Sequence, residues 1–224
     1  MDLEAWLLHK TITGESSLKL HVFTREKGII VCWFKGGRSP KKQAILQPFM
    51  PLWLSYQSKN DYAYVSKLES RALPFQFNSM ALFSACYINE LVYYALRSSE
   101  PQGTIYDAYQ DTLKGLSVSQ NRLPIEALLR RFEWHLLQSC GYGLSFGEDD
   151  DHTNRIEGSA STYQYVPGQG FMPVEDGIPK DYVLAIIAGE FKELIVLKYA
   201  KKVMRKAIEG LLDGRNLQSR ALFK

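Results

Sequence analysis

The chemistry that this sequence lacks narrows its roles before anything present is weighed. It has three cysteines and four histidines in 224 residues, too scattered for a disulfide framework or a CxxC metal motif. GxGxxG, GxxxxGK[ST] and HExxH are all absent, and with them the usual signatures of dinucleotide binding, phosphate-loop hydrolysis and zinc proteolysis. No apolar stretch approaches the ~18 residues of a membrane-spanning helix. The opening MDLEAWLLHK has neither the basic start nor the long apolar run of a secretory leader. With an odd cysteine count, this gives the expectation of a reducing cytoplasm. Carboxylates suit hard cations, so GEDDDH at 147–152 could be imagined as a metal cluster. EF-hand spacing with its closing Glu is missing there, however, and a charge run between helices is ordinarily a solvated loop. The expectation is therefore no catalytic residue, no metal and no cofactor, with a metal-dependent nuclease built on EDDDH as one alternative.

What is present is segregated charge. The net charge is +3, yet residues 1–80 carry eleven Lys and Arg against six Asp and Glu, residues 144–181 two against eight, and residues 192–224 nine against three. Local rather than total charge sets the field, so two basic segments flanking an acidic one could each attract a polyanion.

The apolar pattern changes period once. EAWLLHK, SLKLHVF, GIIVCWF, ILQPFMPLWLSY and YAYVSKLES are short, rich in β-branched and aromatic residues, and separated by turn signals. LKLHVF alternates, with Leu18, Leu20 and Val22 set against Lys19, His21 and Phe23. Five strands in about 70 residues leave no room for covering helices and predict a small closed barrel of the OB type, with an SH3-like barrel as the alternative. Pro48 and Pro51 turn the middle of the fourth segment into an edge or a bend. Beyond RALPFQFN the period becomes helical. Ser79 can cap one helix, Thr104 with Asp107 forms a capping box for a second that stops near Gly115, and Pro124 opens a third that ends at Gly141 and Gly143. DYVLAIIAGEF and KELIVLKYAKKVMRKAIEGLLDG read as two more, and YQYVPGQGFMPV as a hairpin. The fold class expected is α+β, an N-terminal OB-fold barrel over 1–78 and a mainly α-helical domain over 79–224 with an irregular insert around 144–180.

Three groups of residues invite a ligand. FKGGRSPKKQ places Lys35, Arg38, Lys41 and Lys42 in what reads as a flexible loop after the third strand, where Gly36 and Gly37 allow close backbone approach to a phosphate. Lys19, Arg25 and Lys27 come from the second strand and its turn. Trp33, Phe34 and Phe23 stand among these cations, and alternation sends only one of Trp33 and Phe34 outward. Cations on a groove with aromatics for stacking are what single-stranded nucleic acid requires; the bland reading makes the aromatics core and the lysines solubility residues. In the last helix Lys198, Lys201, Lys202, Arg205 and Lys206 oppose an apolar face, and with Arg215 and Arg220 they could extend a DNA surface or be only a solvated flank. In the third helix Ile125, Leu128, Leu129, Phe132 and Leu136 form a core stripe. Arg130, Trp134 and Leu137 lie on another side, which either offers an acidic, apolar-ended peptide a cation beside apolar surface or packs against a neighbouring helix.

The pattern Glu15, Ser17, Leu18, then Phe23, Thr24 and Gly28, then Lys35, Gly36 and Arg38, then Leu46, Gln47, Pro48 and Phe49 resembles the opening domain of the RecO family, bacterial recombination mediators of DNA repair. YINEL at 87–91, LRRFEWHLLQSCGYGLSF at 129–146, YQYVPGQGF at 163–171 and the ending LLDGRNLQSRALF are similar to the same family in the same order. The resemblance implies an N-terminal OB-fold and a helical C-terminal domain. It implies binding of single- and double-stranded DNA, annealing of complementary strands and, with RecR, help in loading recombinase onto DNA coated by single-stranded-DNA-binding protein. It also implies that the acidic, Phe-ended tail of that coating protein docks on the helical domain, with Arg130 matching the first Arg of the LRRFE motif. Some members carry a four-cysteine zinc site after GYGLSF; no cysteine follows Cys140 here, so no zinc is expected. The ending has Gln218 where the commoner form has a cation, which weakens the case for that segment on DNA. The reading is a non-enzymatic DNA-repair mediator of the bacterial cytoplasm and nucleoid. An RNA-binding OB module and an adaptor that does not bind DNA are its alternatives.

Overall fold

The computed structural model describes residues 2–60, 62–147 and 161–223. All of GEDDDH except Gly147, and much of the acidic insert, lie outside the described residues. The chain divides into two compact units, Met1–Gln120 with Leu217–Lys224, and Asn121–Asn216.

The first unit is built on strands β1 (Leu3–Thr13), β2 (Ser17–Thr24), β3 (Gly28–Phe34), β4 (Pro51–Lys59) and β5 (Tyr62–Ser70). They close in the order β1-β2-β3-β5-β4, with β4 returning to β1. β3 meets β5 in parallel, through Cys32 opposite Ala63 and Trp33 opposite Tyr64. This is the five-stranded OB arrangement expected from the sequence. Alternation fills the interior: Leu18, Leu20 and Val22 from β2 meet Ile30, Cys32 and Phe34 from β3 and Leu52 and Leu54 from β4. Each such side chain contributes about 1.5–3 kcal/mol by leaving water. Burial pushes the Cys32 thiol up to about 12, so it stays protonated. The bend expected from Pro48 and Pro51 is seen, since the fourth strand starts only at Pro51.

Helices α2 (Ser79–Ala95) and α3 (Gly103–Val118) pack within the same unit. The boundary expected at residue 78 falls between the barrel strands and α2; the division by packing keeps both helices with the barrel. Part of the barrel's outer surface is thereby buried. Trp6 stacks on Phe75 at 5.9 Å and meets Tyr109 edge-on. Phe23, which alternation sends outward, is fully buried against Tyr106 and Tyr109, which removes it as a ring offered to a base. Two caps differ from expectation. Asn78, not Ser79, caps α2 by accepting from the Ala81 amide. Asp107 does not close a capping box, because its carboxylate is taken by Arg25. A 3₁₀ turn, Gln218–Phe223, ends the unit; Glu90 of α2 accepts from the Gln218 and Ser219 amides and the Ser219 hydroxyl.

The second unit contains α4 (Arg122–Ser139), strands β6 (Thr162–Val166), β7 (Gly170–Pro173) and β8 (Ile178–Pro179), and helices α5 (Lys180–Ile187) and α6 (Leu194–Leu211). β6 and β7 are the expected hairpin, to which β8 adds an unexpected third strand. α4 ends where Gly141 takes φ +77° and the Tyr142 amide donates to Leu137 O at 2.8 Å. α4 packs on α6, burying Phe132, Leu136, Val203, Met204 and Ile208.

Candidate nucleic-acid interface

The segment after β3 is not a flexible loop. Gly36 adopts φ +64°, a left-handed conformation that side chains disfavour. At Gly37 a Cβ would lie 2.9 Å from Phe34 O. This tight turn delivers the chain to Pro40, which opens the one-and-a-half-turn helix α1 (Pro40–Ile45). The helix was hidden in the sequence by the surrounding glycines and cations. Neutral acceptors then fix the cations. Arg38 donates from its amide to Ser16 O at 3.1 Å and from Nη1 to Glu15 O at 2.6 Å. Lys42 donates from Nζ to Lys35 O at 2.8 Å and lies 4.4 Å from the centroid of the Phe34 ring. Lys41 is exposed on α1.

Two more lysines cap rings on the outer face. Lys19 lies opposite Trp33 in the β2–β3 register, its Nζ 5.7 Å from the Trp33 ring. Lys35 Nζ stands 5.4 Å from the Tyr64 ring. Lys10, which the alternation of the first segment gave no reason to select, is held against α1 by donating to Gln43 Oε1 and Leu46 O, both at 2.9 Å. None of Lys10, Lys19, Lys35, Arg38, Lys41 and Lys42 forms an ion pair with a carboxylate among the described residues. Their charge is positioned without being neutralised. Of the other cations singled out, Lys27 is exposed in the β2–β3 turn. Arg25 is held in a two-pronged pair, Nε to Asp107 Oδ1 at 2.9 Å and Nη2 to Oδ2 at 2.8 Å. That hydrogen-bonded guanidinium keeps the Asp107 carboxyl below its ordinary range.

The α6 cations are arranged otherwise. Lys201 pairs with Glu126 at 2.9 Å and Arg205 with Glu209 at 3.2 Å, while Lys202 is exposed. Arg215 is exposed beyond the helix; Arg220 is half-buried in the 3₁₀ turn, which belongs to the other unit.

On α4 the expected peptide-binding side is largely internal. Arg130 and Leu137 are buried, 5% and 0% exposed. Arg130 Nη2 donates to Glu133 Oε1 at 2.7 Å, and both side chains are sealed from water. Trp134 is half-buried, donating from Nε1 to Ile187 O at 3.1 Å, with the Gly189 backbone against its ring. The side of α4 that was neither plainly polar nor plainly core thus packs against the end of α5. The expectation that Arg130 and Leu137 present a docking surface is corrected: a cation i, i+3 from a carboxylate can be buried as a pair, and helical spacing does not distinguish that from exposure.

An open groove of ≈ 380 Å³ does lie between α4 and α6. Leu123, Leu194 and Leu197 supply its apolar surface, and Arg122, Glu126, Lys198 and Lys201 its polar surface. Leu194 is 72% and Leu123 48% exposed. Burial would raise the Glu126 carboxyl, but Lys201, Arg130 and Arg122 outweigh it and hold the group below its ordinary value. No three His, Cys, Asp or Glu side chains among the described residues gather as a metal site.

Comparison with known proteins agrees across the chain. Residues 1–73 match the family described as "Recombination protein O N terminal", and residues 77–171 match "Recombination protein O C terminal". A DNA repair protein RecO from Legionella pneumophila strain Paris is 45% identical over 223 residues, 99% of this chain and 97% of the relative. The one from Marinobacter nauticus is 34% identical, covering 98% and 92%. That from Mannheimia succiniciproducens is 32% identical, covering 97% and 96%.

Proposed function

Since the chain belongs to the RecO family of DNA repair proteins, we propose that it is a non-enzymatic mediator that grips single- and double-stranded DNA on the barrel and brings complementary strands together. The observation that carries this reading is the group of five barrel cations, Lys10, Lys19, Lys35, Arg38 and Lys42, held by carbonyl oxygens, an amide oxygen and ring faces instead of carboxylates, with Lys41 exposed beside them. Phosphates meet that charge uncancelled, and release of their counterions drives binding without regard to sequence. Two strands neutralised on one surface lose their mutual repulsion and can pair. Lys27 and Arg25 extend the surface, Arg25 once Asp107 yields it. On α6, Lys201, Lys202 and Arg205, with Arg215 beyond the helix, form a weaker accessory surface, and Arg220 adds a cation to the first unit.

The helical unit holds the acidic, apolar-ended tail of single-stranded-DNA-binding protein. The groove between α4 and α6 fits that chemistry: Leu123, Leu194 and Leu197 take the terminal ring, while Arg122, Lys198 and Lys201 meet the carboxylates. Arg130, buried against Glu133, supports α4 together with Trp134 and Leu137. Tethering raises the local concentration of the barrel at coated DNA. There, together with RecR, the protein assists loading of recombinase in the cytoplasm at the nucleoid.

The test replaces Lys35, Arg38, Lys41 and Lys42 by Ala and plots log affinity against log salt. Each lost phosphate contact flattens the slope by about 0.9 on duplex and about 0.7 on a single strand. An unchanged slope rejects the surface. Failure of the unmodified protein to bind DNA in dilute buffer, or preference for a matched RNA competitor, rejects the reading as a whole.

A further inference from the structure

Beside the cation-rich turn, the outer barrel face carries rings that the fold does not use as core. We propose that Trp33, Tyr62 and Tyr64 form a stacking platform for unpaired bases of single-stranded DNA, through which the barrel distinguishes a single strand from a duplex. The proposal rests on the DNA-binding reading and adds the base-recognition part of the same face.

Four observations converge. Trp33 and Tyr64 are direct neighbours across the parallel β3–β5 pairing, so both project from one outer face. Tyr62, two residues earlier on β5, meets Trp33 edge-on at 5.0 Å and 88°, and Trp33 to Tyr64 is 6.3 Å at 44°. Tyr62 is 50% exposed, and Trp33 and Tyr64 are half-buried, in contrast to Trp6 and Phe23, which are buried under α3 aromatics. The rings not needed for packing are therefore the ones beside the cations. Finally, Lys19 and Lys35 each lay an ammonium over one of these rings, at 5.7 Å on Trp33 and 5.4 Å on Tyr64.

That last arrangement supplies the binding step. At an exposed site a base stacked on an aromatic ring contributes more than a cation over the same ring. The lysine stems are long and flexible, so each ammonium can leave its ring for a phosphate while a base takes the vacated face. The exchange uncovers nothing to water and adds a phosphate contact per base. Duplex DNA offers only its phosphates, because its base faces are already stacked. Stacking is blind to base identity, so the preference is for single strands of any sequence.

The test measures binding of a labelled oligothymidylate and a duplex of equal length by Trp33→Ala, Tyr64→Ala and Trp33→Phe proteins, with unfolding curves to confirm intact barrels. Trp33→Ala and Tyr64→Ala should each weaken single-strand binding by about tenfold, the ratio that 1.4 kcal/mol gives, and duplex binding by much less, since Lys19 and Lys35 keep their charge. Trp33→Phe should restore most of the loss. The log affinity–log salt slope of the Ala variants should stay that of the unmodified protein, since no phosphate contact is removed. Single-strand affinity unchanged in both Ala variants, or equal losses on single strand and duplex, overturns the platform. If the unmodified protein holds neither DNA, the DNA-binding reading fails and the platform with it; if it holds both but is indifferent to ring removal, only the platform fails.

Discussion

On the barrel, Lys10, Lys19, Lys35, Arg38 and Lys42 are held by carbonyl oxygens, a side-chain amide and ring faces, while Arg25, Lys67 and Arg71 pair with carboxylates; α6 sets Lys201 beside Glu126 and Arg205 beside Glu209. Both segments are basic by composition, yet the two arrangements project different fields. A carbonyl oxygen or a ring orients an ammonium and leaves its unit charge in place. A carboxylate cancels it at distances beyond a Debye length, about 8–10 Å in physiological salt. Exposed pairs of the α6 kind stabilise a fold by about 0–1 kcal/mol at most, so their main consequence is electrostatic. Counting cations therefore overstates Lys201 and Arg205 relative to the barrel cations that meet no carboxylate. Arg130 carries the contrast to its limit, a cation of the helical unit buried against Glu133.

The largest expected effect comes from that inner cation. Arg130→Ala removes the guanidinium that pairs with the buried Glu133 carboxylate at 2.7 Å, and losing one member of such a pair costs about 3–5 kcal/mol. Replacing both residues by apolar ones of similar size, Arg130→Met with Glu133→Leu, should recover most of the loss. Urea denaturation followed by far-ultraviolet circular dichroism reads both. A single variant within ~1 kcal/mol of the unmodified protein would mean that Arg130 is available to a ligand after all, and the distinction between an inner and an outer cation would disappear.

A smaller effect sharpens the contrast between the two basic surfaces. Glu126→Gln with Glu209→Gln uncovers Lys201 and Arg205 without adding a cation. If carboxylate pairing is what keeps α6 secondary, this double variant should bind DNA a few-fold more tightly in dilute buffer. Its log affinity–log salt slope should steepen by about 0.7–0.9 for each phosphate newly engaged. The same binding curves as the unmodified protein would show that α6 lies off the DNA path, whatever its charge.

The barrel was legible because its signals are local. Period-two alternation in LKLHVF and the turn residues between five short segments specify strands, and five strands without covering helices leave few closed arrangements. What escaped was set by contacts distant in sequence. Phe23 reads as outward by alternation and is buried by Tyr106 and Tyr109, more than 80 positions on. Asp107 reads as a cap and instead holds Arg25. Helix α1 was hidden because PKKQAI is too short for a period and follows two glycines. Of the candidate site, the identities of the cations could be read from the sequence, but not their partners. Lys201 and Lys35 look alike in a string of letters, and only the carboxylate beside one and the ring beside the other separate them. The β3–β5 register, which brings Trp33 to Tyr64, joins strands some 30 residues apart and has no sequence signature. On α4, Arg130, Trp134 and Leu137 were rightly placed on one side of the helix, but spacing carries no information about what covers that side.

The smallest effect concerns His21, beside Lys19 on the barrel. Its Nδ1 is buried without a hydrogen-bond partner among the described residues, and Tyr93 packs edge-on against the ring at 5.1 Å. That burial, then the positive charge of Lys19 and then His9, hold its pKa below the ordinary histidine value. The Lys19 contribution is a sign of the uncancelled field argued above; on α4, by contrast, Lys201 draws Glu126 down by pairing with it. A depressed pKa means that the folded protein binds this proton less readily than the unfolded chain. Stability is therefore undiminished above the unfolded value of about 6.5, falls as pH drops from there through the folded pKa, and stops changing on this account below it. His21→Gln should remove that part of the acid dependence while leaving stability at pH 8 nearly constant. Urea midpoints at pH 8, 6.5 and 5 for the two proteins test it, and Lys19→Ala in place of His21→Gln should shrink the dependence without abolishing it, since burial remains. Parallel midpoints for the unmodified and His21→Gln proteins across this range would mean that His21 titrates as in water, and that the local field on the barrel is weaker than its unpaired lysines imply.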